Sequence, residues 1–209
     1  MENLWEELSS QNIHLSLRQK EQLRIHRDLL QKWGDVHNLT ALKDPALILK
    51  NHYKDCLLGL HALPMGFLEP SSEVFYDLGS GAGFPGLVAA VLWPARAIVL
   101  VESSQKKSSF LHLAAFEMGL TQVQVLSKRV ENLRGIQRAL SRAAFSPENF
   151  KILKHAFGPE AKLALFTSCA FEPESLGKVK MSLEQICKYT LEPNNERQLA
   201  VGVSRGTSR

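Results

Sequence analysis

Residues 74–86 read VFYDLGSGAGFPG. Val74, Phe75, Tyr76 and Leu78 crowd apolar or aromatic side chains together, the pattern of a short strand buried on both faces. Gly79, Gly81 and Gly83 follow at alternate positions. There the backbone can turn sharply and bring its N–H groups against a ligand with no Cβ in the way. Pro85 suits the first turn of a helix, where its missing N–H is not needed. Strand, glycine loop and helix predict the first crossover of a Rossmann-like sheet and a site for a nucleotide-type cofactor. The alternative is a merely tight turn, and the glycine density argues against it.

Which cofactor is the sharper question. From Gly81 the string also matches the dinucleotide pattern G-x-G-x-x-G, a weak signal alone. Asp77 argues against a dinucleotide. At the end of the first strand it would point a carboxylate into the cradle, where a pyrophosphate would meet like charge. S-adenosylmethionine has no phosphate and carries a sulfonium and an ammonium, for which an acid is an asset. A second acid, Glu102, closes the next apolar run, AIVLVE. It suits a strand end that reaches ribose hydroxyls. A methyltransferase is the better expectation.

The 209 residues suffice for one well-cored domain plus an extension. The formal charge of +4 says less than its distribution. Seven Lys and Arg (Lys106, Lys107, Lys128, Arg129, Arg134, Arg138, Arg142) stand against Glu117 and Glu131 within residues 106–142. Such a segment beside a cofactor loop suits an anionic macromolecule; a solvated surface is the other reading. Cys56, Cys169 and Cys187 are widely spaced, and no metal-ligand spacing exists, so reduced thiols and no metal are expected. With neither a signal peptide nor a run long enough to span a bilayer, the expected location is cytoplasmic.

Along the chain, residues 2–9 suggest a short helix. SLRQ at 16–19 is a capping box for a helix to about Trp33, stopped by Gly34. Asp44-Pro45 caps the next, which carries His52 and Asp55 at (i, i+3) spacing. The pair is either an ordinary surface pair or the border of the cofactor mouth. Residues 63–72 form a connector, so the chain divides into a helical extension, 1–72, and a core, 73–209. The core should continue with helix 85–93, strand 97–101, helix 105–118 ended by Gly119, and strand 122–126. Leu133, Ile136 and Leu140 have helical spacing, yet the sheet needs a strand there. A helical turn at 131–137 and a brief strand at 138–141 reconcile the two. A helix from Ser146-Pro147 to about Phe157, a strand at 162–167 and a hairpin of 183–191 with 197–204 complete the chain. Residues 205–209 are expected to be a mobile tail.

These residues resemble a known family. DLGSGAGFPG (77–86), NLTALKDP (38–45) and NHYKD (51–55) look like the bacterial RsmG (GidB) family. ESSQKK (102–107), RVE (129–131) and SRA (141–143) match in order and spacing, and ERQLAV (196–201) rejoins it at the last strand. Departures are Glu102 where the family often has Asp, and Thr167-Ser168 where it carries Lys-Gly. The segment around 146–159 is also rearranged. The resemblance implies an α/β, Rossmann-like class I S-adenosylmethionine-dependent methyltransferase fold. Its mostly parallel seven-stranded sheet would end in an antiparallel hairpin and follow an N-terminal helical extension. It implies methylation of N7 of a guanine in 16S ribosomal RNA, naked or within the small subunit; a monomer is expected. Small-molecule methylation and a silent RNA-binding relative are the alternatives.

The expected cofactor site comprises Asp77, Gly79, Ser80, Gly81, Gly83 and Phe84, then Glu102, Ser103 and Ser104. Arg129, Val130 and Glu131 should lie along the adenine, with Arg142 at the edge. Asn38, Thr40, His52, Asp55, Lys106 and Arg142 are expected on the substrate side. Arg142 is the favoured contact to the target nucleotide, because a guanidinium can bind guanine O6 or a phosphate.

Overall fold

The computed structural model describes residues 1–37, 39–40, 42, 44–69, 72–145, 149–167 and 171–204, with 35–37 as backbone only. The Asn38 assignment, the Ser146-Pro147 cap and the 205–209 tail lie outside the described residues.

The chain opens with α1 (Glu2–Ser10) and α2 (Leu17–His37). The capping box at the head of α2 is reciprocal. Gln19 N–H donates to Ser16 Oγ at 3.2 Å and Ser16 N–H to Gln19 Oε1 at 2.9 Å. Gly34 does not stop α2. The chain stays coiled past it, and Leu39 N–H returns to Gly34 O at 3.1 Å. Asp44 caps α3 (Pro45–Ile48) by accepting from Ala46 N–H at 2.8 Å, with Pro45 at the first position. A π-helical turn, Leu49–Lys54, joins α3 to α4 (Asp55–His61); regular apolar spacing gave no sign of it. A further short helix, α5 (Met65–Leu68), lies in the expected connector.

The core follows as β1 (Phe75–Leu78), α6 (Gly86–Leu92), β2 (Ile98–Val101), α7 (Gln105–Glu117) and β3 (Val123–Leu126). After a 3-10 turn at Val130–Asn132 come β4 (Ile136–Arg142) and a second 3-10 turn, Asn149–Leu153. Then come β5 (Phe157–Thr167), a third 3-10 turn at Pro173–Val179, and the hairpin β6 (Met181–Glu192) and β7 (Asn195–Ser204). The sheet order is β3-β2-β1-β4-β5-β7-β6. β1 to β5 run parallel and β7 is antiparallel to both neighbours.

Two expectations fail here. The helical turn expected at 131–137 gives way to a strand from Ile136, because β4 is buried along most of its length. A strand covered on both faces can carry apolar residues at any spacing. The helix expected up to Phe157 is only the Asn149–Leu153 turn, and Phe157 already pairs with Ile136.

One face of the sheet carries α6 on β2, α7 on β3 and α4 on β6 and β7, and α2 packs in turn on α6 and α7. Leu8, Leu23, Tyr53, Leu57 and Phe67 share an apolar cluster with Phe75, Leu87, Ile98 and Leu100. Arg138, read from sequence as part of a basic stretch, ties the connector down. Its guanidinium donates to the carbonyls of Phe67 (3.2 Å) and Glu69 (2.8 Å) and lies 3.3 Å from Glu73. A chain beginning at Ser72 would uncover the outer faces of α6 and α7 and the part of the sheet under α4. It is expected to aggregate on expression, and a soluble truncation with a cooperative melt would contradict this packing. No helix among the described residues is long and apolar enough to cross a membrane.

Candidate functional site

β1 has parallel neighbours on both sides, and the connections leaving β1 and β4 part company there. A crevice opens at such a point beyond the carboxyl ends of the strands. Here it is a cavity of about 460 Å³.

The glycine loop forms its floor. Gly79 (φ +77°) turns the chain out of β1 where a Cβ would fall 2.4 Å from that of Ala144. A Cβ on Gly81 (φ +56°) would meet only the Gly79 carbonyl oxygen, at 3.9 Å. Ser80, Ala82 and Phe84 complete this side of the lining. Gly83 turns away toward α6, its N–H donating to Ser80 O at 2.7 Å.

The acid in the cavity wall is Glu102, at the end of β2. Its Oε2 accepts from Gly81 N–H at 2.9 Å and its Oε1 from Ser104 N–H at 2.8 Å. One carboxylate thus joins the glycine loop to the start of α7. Ser103 lines the cavity, whereas Ser104 stands behind it. Asp77 is corrected. It is 1% exposed and absent from the lining, and its Oδ2 accepts from Gly86 N–H at 3.0 Å beneath the loop. Burial pushes its carboxyl up to about 7, against the hydrogen bonds that favour the anion. It fastens β1 to α6, and its other oxygen has no partner among the described residues.

Arg129, Val130 and Glu131 line the far wall together with Lys128. Lys106 is exposed and off the lining, and its neighbour Lys107 takes that place. Of the seven basic residues, Lys107, Lys128, Arg129 and Arg142 border the cavity and Arg138 is anchored in the connector. Lys106 and Arg134 face solvent. Leu39 and the Ala143–Phe145 segment, not assigned to the site from sequence because nothing polar distinguishes them, also line it.

The π-helical turn supplies the remaining rim. His52 Nε2 meets Thr40 Oγ1 at 2.9 Å, its Nδ1 faces Asn51 O at 3.2 Å, and its ring lies 4.8 Å from that of Phe84. Burial first, and the Arg142 charge second, lower its pKa to about 4, so it is neutral at pH 7 and accepts from the Thr40 hydroxyl. Asp55 is no surface residue. Its Oδ2 accepts from Arg142 Nε at 2.9 Å and its Oδ1 from the Tyr189 hydroxyl at 2.8 Å. Arg142 Nη2 also donates to Asn51 O. Asp55 lines only a smaller adjoining cavity, which Arg142 shares.

Behind the loop, Tyr53 O–H bonds His26 Nδ1 at 3.0 Å and His26 Nε2–H bonds Ala82 O at 2.9 Å. Burial lowers the His26 pKa to about 4. Between pH 6.5 and 4 an unfolded chain therefore binds protons at positions 26 and 52 that the native chain does not. These histidines make stability fall as pH falls. Asp77 works in the opposite sense over an overlapping window, since the native chain keeps a proton that the unfolded chain releases as pH rises. Comparison with a His26→Phe variant isolates one imidazole. On going from pH 7 to pH 4.5, wild type should lose on the order of 2–3 kcal/mol more urea stability than the variant. Parallel pH profiles would show that His26 is not held neutral.

Among the described residues no group of three or more His, Cys, Asp or Glu is placed to hold a metal, and Cys56 and Cys187 are buried free thiols. Cys169 lies outside the described residues.

The model of the family described as rRNA small subunit methyltransferase G (GidB) matches residues 19–190. The ribosomal RNA small subunit methyltransferase G of Nitrosospira multiformis is 39% identical over 134 residues, covering 62% of this chain and 59% of that protein. Its counterpart from Nitrosomonas europaea is 38% identical over 153 residues (71% and 66%). That from Methylibium petroleiphilum is 32% identical over 165 residues (78% and 69%). The chain thus spans about six-tenths of the length of the first of these relatives. In three dimensions it resembles the 16S rRNA methyltransferase KamB, with TM-score 0.51, 13% identity and coverage of 68% and 92%. It also resembles a ribosomal protein L11 methylase from Lactobacillus delbrueckii subsp. bulgaricus, with TM-score 0.54, 10% identity and coverage of 74% and 80%. With the sheet order, these likenesses give the fold alone: that of the class I S-adenosylmethionine-dependent methyltransferases.

Proposed function

Because this chain belongs to the rRNA small subunit methyltransferase G (GidB) family, we propose that it methylates N7 of a guanine in 16S ribosomal RNA, using S-adenosylmethionine. The observation that carries this is a glycine-loop cavity with a carboxylate in one wall and Lys107, Lys128 and Arg129 along the others. Such a mouth attracts a polyanion.

The cavity residues fit the cofactor. Gly81 leaves space where a side chain would intrude, and Glu102 offers a carboxylate for ribose hydroxyls. Residues 129–131 provide the wall for adenine. When bound, the cofactor supplies a sulfonium methyl: the N7 lone pair forms the new N–C bond as the C–S bond breaks, leaving S-adenosylhomocysteine and a cationic 7-methylguanine. N7 carries no proton, so no general base is needed and alignment and water exclusion are what the protein contributes. Phe84 and neutral His52 give the rim an apolar surface without added charge. Arg142, fixed by Asp55, is the substrate-side cation in this scheme. The enzyme would act as a monomer, without metal, in the cytoplasm where small subunits reside.

The test is tritium transfer from labelled S-adenosylmethionine to small subunits and to naked 16S RNA, followed by nucleoside analysis. Label in 7-methylguanosine is expected. Label only in small-molecule extracts would make it a small-molecule methyltransferase, and cofactor-independent RNA binding without transfer would make it a silent relative.

A further inference from the structure

A second cavity, about 420 Å³, lies beyond the carboxyl ends of β4 and β5. Ala143, Ala144 and Phe145 line both it and the glycine-loop cavity. Ala143 takes a left-handed turn (φ +52°) that a non-glycine residue rarely adopts, a local strain of the kind that collects at working sites. The other walls include Phe150, Phe166 and Phe171. One hydroxyl in them, Thr167 Oγ1, is buried without a partner among the described residues. A single carboxylate, Glu172, stands at the rim. It is exposed, and its backbone carbonyl accepts from the Ser175 N–H and hydroxyl.

We propose that this cavity receives the target guanine, its ring among Phe145, Phe166 and Phe171 and its Watson–Crick edge on Glu172, which makes Glu172 the residue that selects guanine. This deepens the function proposed above and rests on it. Aromatic faces stack any base; the discriminating chemistry is at the edges. Guanine presents two donors side by side, N1–H and the 2-amino group, and a carboxylate offers two acceptors in matching order. Adenine presents an acceptor at N1 and a donor at N6, so one carboxylate oxygen would face a lone pair. N7 lies on the opposite edge of the purine. A base held at Glu172 by its Watson–Crick edge leaves N7 free to face the wall shared with the cofactor cavity. The buried Thr167 hydroxyl offers a bonding partner to a heteroatom of the bound base.

Glu172→Gln tests this, because the residue is exposed and the variant should fold. The amide pairs one acceptor with one donor and so matches adenine better than guanine. With small subunits as substrate, kcat/KM for tritium transfer should fall tenfold or more. The affinity for S-adenosylhomocysteine by calorimetry should stay within about twofold. On subunits carrying adenosine at the methylated position, the preference for guanine over adenine should narrow at least tenfold in the variant. Unchanged transfer and preference in Glu172→Gln, with wild type active, would overturn the base-pocket assignment and leave the proposed function standing. Equal losses of cofactor affinity and transfer would place Glu172 with the cofactor and overturn it as well. No transfer by wild type would overturn both together.

Discussion

Glu102→Ala should lower the affinity for S-adenosylhomocysteine by two orders of magnitude or more. The carboxylate accepts from two backbone N–H groups on different elements, Gly81 in the glycine loop and Ser104 at the start of α7. Its removal leaves both donors without their acceptor, at about 1–3 kcal/mol each where they are shielded from water. It also frees the loop that forms the cavity floor and deletes the negative charge intended for the ribose. A hundredfold loss corresponds to about 2.8 kcal/mol, well within the sum of those effects. Glu102→Asp keeps the charge on a shorter stem and should lose less, since only one of the two N–H groups can then be reached. Asp77→Asn is the contrasting variant. The amide oxygen can still accept from Gly86 N–H, and the residue does not line the cavity, so affinity should stay within about tenfold. Calorimetric titration decides between them. Near-native binding by Glu102→Ala, or a larger loss in Asp77→Asn than in Glu102→Ala, would return the central role to Asp77.

The difference between those two acids shows which features were legible in the sequence. Strand, glycine loop and helix were, because they are written in consecutive residues whose backbone needs are local. So were the Ser16–Gln19 box, the Asp44-Pro45 cap and the hairpin whose two-residue turn holds Asn194 at φ +66°. That Asp77 is an acid at a strand end was also plain. Its direction was not, since the side chain turns under the loop only because Gly86 places an N–H there. Lys106 and Lys107 differ by a rotation of one residue on α7, which composition cannot resolve. The expected helix up to Phe157 failed for a related reason: Phe157 pairs with Ile136 across the sheet, and that long-range partner overrides local spacing. Tertiary pairing likewise took Arg138 out of the basic surface and fixed Arg142 in the cavity wall. Both sit in a charged stretch of sequence, yet each is bound inside the fold by a residue more than sixty positions away.

The pairing of Arg142 sets the last expectation. Asp55 and Arg142 are both largely buried, and Tyr189 and Asn51 complete their hydrogen bonds. Removing one partner from a buried pair leaves the other uncompensated, at about 3–5 kcal/mol. Asp55→Ala should therefore lower the melting temperature by roughly 10 °C for a chain of this size, stranding the guanidinium and the Tyr189 hydroxyl together. Arg142→Ala should cost a similar amount by stranding the carboxylate. The double variant should cost clearly less than the sum of the two, because neither charge is then left alone; a coupling on the order of 2 kcal/mol is expected for groups in direct contact. Additive single effects, or singles below about 1 kcal/mol, would mean that water reaches the pair and that it is in effect a surface bridge. Transfer assays on the same variants separate support from contact. If Asp55 acts only by aiming Arg142, then Asp55→Ala should lower transfer to small subunits in wild type and change nothing further in an Arg142→Ala background. Arg142→Lys should recover little in either assay, because an ammonium cannot reach Asp55 and the Asn51 carbonyl at once with the geometry of a planar fork. A lysine variant with full stability and full transfer would show that charge alone is what position 142 supplies.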